Sequence, residues 1–250
     1  MSNTAPFLHI AYANNNTGTL DFTTTGGIER TYTGFYTDEY STDSSDPTKY
    51  KWLTNAEFKN KVNTAAYAKS ADGITDFTTV YPNLNLVDGT KDFSGVWEWS
   101  DTWTTDGTYK GLTVKKTTTR WGGIHKIFTA PKDGIYTFSA YVKSSGDTAG
   151  IYRIIFKNGV NVLLPNKFLG SNFDWLRDSF SITLEAGDII HTRYEISGSG
   201  TLWTAGHKWE HGSIATPYMP SSSEVKDSDY PQYIGFSNVT NPTSFKDYEW

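Results

Sequence analysis

The chain has 250 residues, of which 16% are aromatic and 20% are charged, and it contains no cysteine. Its aromatic and β-branched side chains suit pleated sheets, so the composition argues against a helix bundle. The net charge of −5 supplies no basic field for nucleic acid or for an anionic membrane surface. The lack of cysteine excludes disulfides, thiolate metal sites and a cysteine nucleophile.

The N-terminal segment MSNTAPFLHIAYA has no basic start and no long apolar run, so we expect no secretory signal peptide. The longest apolar runs, such as residues 154–156, are too short to span a bilayer. We therefore expect synthesis in the cytoplasm, no membrane insertion and no nucleic-acid partner.

An internal repeat occupies the N-terminal part of the chain. Residues 10–25 read IAYANNNTGTLDFTTT and residues 65–80 read AAYAKSADGITDFTTV, with a constant offset of 55 residues. The first copy continues as TYTGFYTDEYSTDSSDPTKYKW and ends at Trp52. The matching continuation of the second copy, QYIGFSNVTNPTSFKDYEW, ends only at Trp250. This arrangement predicts a domain inserted into the second copy at a loop, where insertions are best tolerated.

We therefore predict two small β modules, the second of them split by an inserted domain. The predicted bounds are 1–53 for the first module, 54–64 for a linker, 65–80 plus 230–250 for the split second module, 81–222 for the insert and 223–229 for an exit linker. In the first linker, the spacing of Phe58 and Val62 favours a short helix.

The repeat also predicts which side chains are equivalent in the two modules. We expect Phe22 and Phe77 to occupy equivalent buried positions, and Trp52 and Trp250 to do the same.

The insert alternates short strand patterns with turn signals, such as those at residues 131–134 and 185–188. This spacing is typical of an antiparallel β-sandwich or jelly roll. The predicted fold class is therefore all-β, with a jelly-roll sandwich domain inserted into the second of two small β repeat modules.

Alternation within the predicted strands assigns side chains to faces, because successive residues of a strand point in opposite directions. Three strands, at residues 135–144, 152–158 and 188–197, each combine an apolar set with a polar set. The polar sets contain Tyr141, Lys143, Arg153, His191, Arg193 and Glu195. We expect them to share one face, which is either a solvated sheet surface or a shallow groove for a neutral polar ligand.

The tryptophans bear on this choice, because seven of the nine lie in the insert. Trp97, Trp175 and Trp209 are interpreted as core residues. Trp103 and Trp121 have threonine, glycine and aspartate neighbours, so we expect exposed rings. An exposed ring beside hydrogen-bonding groups suits a saccharide, although protein interfaces also use tryptophan. The candidate saccharide-binding residues are Trp103, Trp121, Tyr141, Arg153, His191, Arg193 and Glu195.

Motifs of common enzymes are absent from the sequence, which has no GxSxG, no HExxH and no P-loop. We expect no catalytic residues and no cofactor. Asp88, Asp92 and Glu210 are candidates for a structural calcium site, because jelly rolls often tie strand ends together with a calcium ion that binds oxygen ligands. The stretch LVDGTKD nevertheless lacks the alternating ligands of an EF-hand loop.

Several of these segments resemble a known family. The repeat IAYANNNTGTLDF with YTGFYTDEYSTDSSDPTKYKW is similar to the short repeats of tail and baseplate proteins in siphophages of lactococci and streptococci. The segments FTAPKDGIYTFSAYVKSSG and AGHKWEHGSIATPYMPSSSEV resemble the jelly-roll carbohydrate-binding modules of such proteins. The most specific match is the KWEHGS run at residues 208–213, followed by Ala215-Thr216-Pro217.

This resemblance implies adhesion to a host cell-wall polysaccharide without hydrolysis. It also implies incorporation into the virion, where the partners are other phage baseplate proteins. It gives no residue-level map of sugar contacts, since these vary among members. The alternative is a structural baseplate connector that makes protein contacts only.

Overall fold

The structure is a computed structural model that describes residues 7–25, 30–38, 40, 42–62, 64–161, 166–237, 239 and 241–250. The chain separates into two compact units. The first, which we call the repeat unit, comprises the described residues of Met1–Pro82 and Lys226–Trp250, and the second, the sandwich unit, comprises those of Asn83–Val225. Within the described residues, no helix is long and apolar enough to cross a membrane.

The repeat unit is built from short antiparallel strands and one helix. Its elements are β1 (Phe7–Ala13), β2 (Tyr32–Asp38), β3 (Lys51–Thr54), α1 (Asn55–Val62), β4 (Ala65–Ala68) and β15 (Tyr233–Phe236). Strands β1, β2 and β3 form one sheet in that order, while β15 pairs with β4 in a second sheet. Helix α1 lies in the segment where the sequence predicts a short helix.

The two repeat copies have matching geometry. Phe22 lies edge-on to Trp52 at 6.0 Å between ring centroids, and Phe77 lies edge-on to Trp250 at 6.0 Å. All four side chains are half-buried, so their positions are equivalent but more exposed than the sequence predicts. Gly18 is required at its turn, because its φ is +71° and a Cβ would lie 2.1 Å from the Trp52 indole.

Pairing of β15 with β4 brings the two parts of the second copy together, with Tyr233 opposite Ala68 and Phe236 opposite Ala65. In the sandwich unit, Asn85 and Ser221 form a parallel bridge, so the entry and exit of that unit are adjacent. The division into separate domains at the bounds given above stays a prediction.

The sandwich unit contains ten strands. They are β5 (Thr104–Tyr109), β6 (Leu112–Thr117), β7 (Phe128–Thr129), β8 (Gly134–Ser145), β9 (Ile151–Lys157), β10 (Val160–Asn161), β11 (Lys167–Gly170), β12 (Phe173–Leu184), β13 (Ile189–Ile196) and β14 (Thr201–His211). The sheet that we call the front sheet has the order β10-β9-β13-β7, with β11 also paired to β9. The back sheet has the order β12-β8-β14-β6-β5. The expected all-β sandwich is confirmed.

A single apolar core lies between the two sheets. Phe138 and Val142 of β8, Ile155 of β9 and Tyr194 of β13 are almost fully buried in it, together with Trp209 of β14. Burying side chains of this size contributes roughly 1.5–3 kcal/mol each, so the core stabilises the frame that carries the outer faces.

Candidate functional site

Tyr141 does not lie on the predicted polar face. It belongs to β8 of the back sheet, where it is only 7% exposed and packs with Leu112 and Tyr218. Lys143 lies on the same strand. Alternation shows which residues of one strand share a face, but it does not show which sheet the strand joins, so this part of the prediction is wrong.

Arg153 also leaves the predicted face, because it points into the core from β9. Its Nη1 donates to Asp178 Oδ1 at 2.8 Å and to Oδ2 at 2.7 Å, and the Tyr194 hydroxyl donates to Asp178 Oδ2 at 3.0 Å. The ion pair makes burial of this charge tolerable, since an unpaired guanidinium there would lose its hydration. The alternation predicts that Arg153 lies on the outer face and that its neighbours on β9 lie in the core, and the structure shows the opposite.

Trp103 is buried rather than exposed. Only 6% of the residue is accessible, and its Nε1 donates to the carbonyl of Gly122 at 3.0 Å. Its polar neighbours belong to turns, so they are no guide to the exposure of the ring. Trp103 therefore holds the 120–123 loop in place. The prediction that Trp103 is an exposed binding residue is wrong, because the residue belongs to the core.

The remaining candidates come together on the outer face of the front sheet, which we call the front face. His191, Arg193 and Glu195 project outward from β13, as the alternation predicts. On neighbouring β9 their cross-strand partners are Phe156, Ile154 and Tyr152 respectively. Aliphatic and aromatic side chains of β9 thus lie opposite polar side chains of β13.

A continuous column of stacked groups crosses the front face, and we call it the ring column. The Arg193 guanidinium lies between Trp99 at 5.0 Å and Phe156 at 4.8 Å. His191 stacks on Phe156 at 4.9 Å and on His125 at 4.0 Å. Cation–π contacts of this kind contribute about 0.5–2 kcal/mol each, so the column fixes the position of Arg193.

Arg193 is neutralised by Glu195 two residues further along β13. Arg193 Nε and Glu195 Oε1 are 2.6 Å apart, and their side chains are only 14% and 6% exposed. Burial raises the pKa of Glu195, while the Arg193 charge partly opposes that rise. The pair therefore adds no net charge to the front face.

The two histidines of the ring column are uncharged at neutral pH. Burial, followed by the neighbouring His125 and Arg193, lowers the pKa of His191 to about 4. Burial also lowers the pKa of His125, whose Nδ1 donates to the Gly123 carbonyl at 2.9 Å. The column thus carries a single positive charge, which belongs to Arg193.

A second line of aromatic rings runs beside the ion pair. Trp121 lies 6.1 Å from Tyr152, and Tyr152 lies 5.0 Å from Phe168 of β11. Trp121 is 49% exposed and Phe168 is 54% exposed. The exposure of Trp121 agrees with the sequence prediction.

Two loops bring Trp99 and Trp121 to the same edge of the front face. Both residues have left-handed backbone conformations, with φ of +57° and +61°. Non-glycine residues adopt that region at an energetic cost and concentrate at functional sites when they do. Hydrogen bonds from the Trp121 amide to Ile196 O and from Arg120 Nε to Ser197 O hold the second loop.

A cavity of about 360 Å³ lies between these loops. It is lined by Trp99, Asp101, Thr102, Thr119, Arg120 and Gly122. One aromatic platform surrounded by hydroxyl, carboxylate and guanidinium groups is the mixture that binds a polar ligand with an apolar ring face.

Sequence reasoning missed Trp99, Tyr152, Phe156 and Phe168. Trp99 could have been found, because it is followed by Ser-Asp-Thr and so meets the criterion that selected Trp121. No sequence signal selects the other three. Nothing in the alternation of β9 distinguishes its inner from its outer face around Tyr152 and Phe156, and Phe168 lies on β11, outside the three strands used to assign faces.

The three calcium candidates, Asp88, Asp92 and Glu210, do not form one site. Glu210 is fully buried beside Lys208, whose Nζ lies 3.1 Å from Glu210 Oε2. Asp88 and Asp92 lie near the Lys126 ammonium, and Lys126 Nζ donates to the Asp88 carbonyl at 2.7 Å. Among the described residues, no three acidic or histidine side chains could hold a metal ion together. The prediction that these three residues bind one calcium ion is therefore wrong.

Among solved structures, the chain is similar to a phage baseplate protein. It is 26% identical to a chain in the tripod (BppUct-A-L) from the baseplate of bacteriophage Tuc2009, with a TM-score of 0.50, covering 75% of this chain and 77% of that one. The baseplate resemblance expected from the sequence is confirmed.

More distant similarities are to carbohydrate-binding modules. A family 35 module from Clostridium thermocellum is 18% identical with a TM-score of 0.37, covering 47% of this chain and 92% of that one. TmCBM61, solved in complex with β-1,4-galactotriose, is 11% identical with a TM-score of 0.38, covering 52% of this chain and 100% of that one. No protein-family model and no curated protein matches the chain.

Proposed function

We propose that this protein is a phage baseplate component that binds a host cell-wall saccharide through the front face. The similarity to the Tuc2009 tripod chain supports the baseplate setting. One observation carries the binding proposal: two exposed tryptophans, Trp99 and Trp121, flank the charge-neutral pair of Arg193 and Glu195.

The chemistry of this face matches that of a neutral sugar. A pyranose has an apolar C–H face, which gains by leaving water for an indole ring, and hydroxyls, which lose water only if new hydrogen bonds replace it. Trp99 and Trp121 supply the rings. Arg193, Glu195 and Asp101 supply donors and acceptors within the same region of the face.

Affinity for each site is expected to be modest, because the front face is a sheet surface with a small cavity at its edge. We expect a dissociation constant on the order of 0.1–1 mM. Many copies on one particle would then act together, and multivalency would supply tight adhesion.

We place the protein in the virion tail and propose that the repeat unit docks it to other baseplate proteins. The similarity to the tripod chain covers 75% of the present chain, which supports a shared assembly role. The sandwich unit is then left to carry the saccharide.

We propose binding without hydrolysis. Glu195, the acidic side chain beside Arg193 on the front face, is paired with that arginine and is not poised as a free acid. Incubation with purified cell-wall polysaccharide should release no reducing ends, and release of sugar fragments would contradict this part of the proposal.

Fluorescent labelling of cells tests the function directly. The full chain fused to a fluorescent protein should decorate susceptible cells, and Trp121→Ala should reduce decoration about tenfold. Tyr40→Ala is the matched control, because Tyr40 is an aromatic residue of the repeat unit with 73% exposure. Absence of decoration by the unmodified chain would favour the structural connector.

A further inference from the structure

The sandwich unit has a second cavity, with a volume of about 570 Å³, whose lining shares no residue with the cavity between the Trp99 and Trp121 loops. It is lined by Leu86, Val87, Asp88, Val96, Glu98, Lys126, Ile127, Phe128, Thr129 and Pro131. Three apolar side chains there are exposed: Val96 at 79%, Ile127 at 53% and Leu86 at 37%. None of them takes part in the proposed saccharide site.

This cavity opens where a short β-ladder stops. Glu98 and His125 form an antiparallel bridge, with backbone N···O distances of 2.9 and 3.2 Å. The next hydrogen-bonded pair of that ladder would be Val96 with Ile127, since such pairs recur every second residue. Among the described residues no backbone hydrogen bond joins them, so the two segments separate after one pair.

Because the segments of Val96 and Ile127 separate, strand β7 has an unpaired edge at the end of the front sheet. Phe128 pairs with Ile190 of β13, and the Ala130 amide donates to the Asp188 carbonyl at 2.9 Å. Alternation therefore directs the N–H and C=O groups of Ile127 and Thr129 to the opposite side, toward the cavity. Unpaired ladder groups beside exposed apolar side chains form a template for another strand.

The charge around the cavity determines which kind of partner strand fits there. Of the charged residues that line it, Asp88 and Glu98 are acidic and Lys126 is basic. The Lys126 ammonium is already surrounded by Asp88, Asp92 and Glu224. The rim is therefore left negative, which favours a partner with basic residues next to its apolar ones.

We propose that this edge binds an extended segment of a partner protein by strand addition, with alternating apolar residues over Val96 and Ile127 and a basic residue toward Glu98. Backbone hydrogen bonds to Ile127 and Thr129 would supply affinity, and the apolar and acidic lining would supply selectivity. The inference does not depend on saccharide binding, because it uses different residues.

A designed peptide tests the proposal on the full chain. The probe is fluorescein-labelled Lys-Val-Thr-Val-Thr-Lys amide, measured by fluorescence anisotropy. It should bind, and deuterium exchange at the amides of Ile127 and Thr129 should slow when it does. A version with glutamate in place of both lysines should bind at least about tenfold more weakly.

Two substitutions locate the binding. Ile127→Lys should weaken the probe at least about tenfold. Ile135→Lys, at a residue of β8 that is 49% exposed, should leave it unchanged. The proposal is overturned if the probe does not bind, if N-methylation of its alternate amides has no effect, or if Ile135→Lys weakens it as much as Ile127→Lys.

Discussion

The indole of Trp99 covers the guanidinium of Arg193, with 5.0 Å between the guanidinium carbon and the ring centroid. The two residues lie far apart in sequence, on a loop and on β13. Their contact joins the loop cavity to the sheet surface, so a ligand stacked on Trp99 would also meet the polar atoms of the Arg193–Glu195 pair.

Replacement of Arg193 by lysine tests this arrangement. A lysine keeps the charge but loses the planar group that lies between Trp99 and Phe156. We expect about tenfold weaker saccharide binding by calorimetry. The melting temperature should fall by only a few degrees. Unchanged affinity would show that the stacked guanidinium has no part in recognition.

The buried pair of Arg153 and Asp178 should affect stability. Arg153→Met leaves the Asp178 carboxylate in the core without its cationic partner, which costs about 3–5 kcal/mol. Urea unfolding measures the loss. The double variant Arg153→Met with Asp178→Leu should recover much of it, because an apolar pair needs no hydration. A single variant as stable as the unmodified chain would contradict this assignment.

The glycines of the two repeat copies offer a matched pair. Gly18 and Gly73 have φ of +71° and +73°, and a Cβ would lie 2.1 Å from Trp52 in the first case and 2.0 Å from Trp250 in the second. Gly18→Ala and Gly73→Ala should each destabilise the protein by roughly 2 kcal/mol or more. Thermal unfolding measures both, and a large effect from only one would show that the copies are not equivalent.

Stability should fall as the pH drops below about 6.5, the pKa of an unfolded histidine. In the folded state, burial lowers the pKa of His207 to about 3 and that of His191 to about 4. Between these values the unfolded chain binds more protons, so each histidine removes at most about 1.4 kcal/mol per pH unit as the pH falls. His191→Phe, which keeps a stacked ring, should show a shallower decline in urea unfolding from pH 6.5 to 4. An equal slope would contradict the assignment for His191.

Much of the fold follows from the sequence, because strand periodicity, turn residues and the offset repeat are local signals. The residues of the front face could be predicted from the sequence only in part. Alternation correctly set His191, Arg193 and Glu195 on one side of β13, but it reversed the sides of β9 around Arg153. A buried arginine is explained only by its partner Asp178 on another strand, and no local pattern encodes that long-range pair.

The motif that carries the family resemblance has a structural role. Lys208 and Glu210 are fully buried on β14, and Lys208 Nζ also donates to Thr216 Oγ1 at 2.7 Å and to Pro217 O at 2.9 Å. These bonds fasten the segment after β14 to the back sheet. The conspicuous sequence signature therefore marks a fold-stabilising network, whereas the candidate ligand contacts lie on β13 and in two loops outside that signature.

Calorimetric titration of the full chain with cell-wall polysaccharide purified from susceptible cells tests the central claim most directly. The unmodified chain and Tyr40→Ala should bind with dissociation constants on the order of 0.1–1 mM. The double variant Trp99→Ala with Trp121→Ala should bind at least about tenfold more weakly, with a retained thermal transition. Equal binding by the double variant and the unmodified chain would contradict the assignment of the front face as the saccharide site.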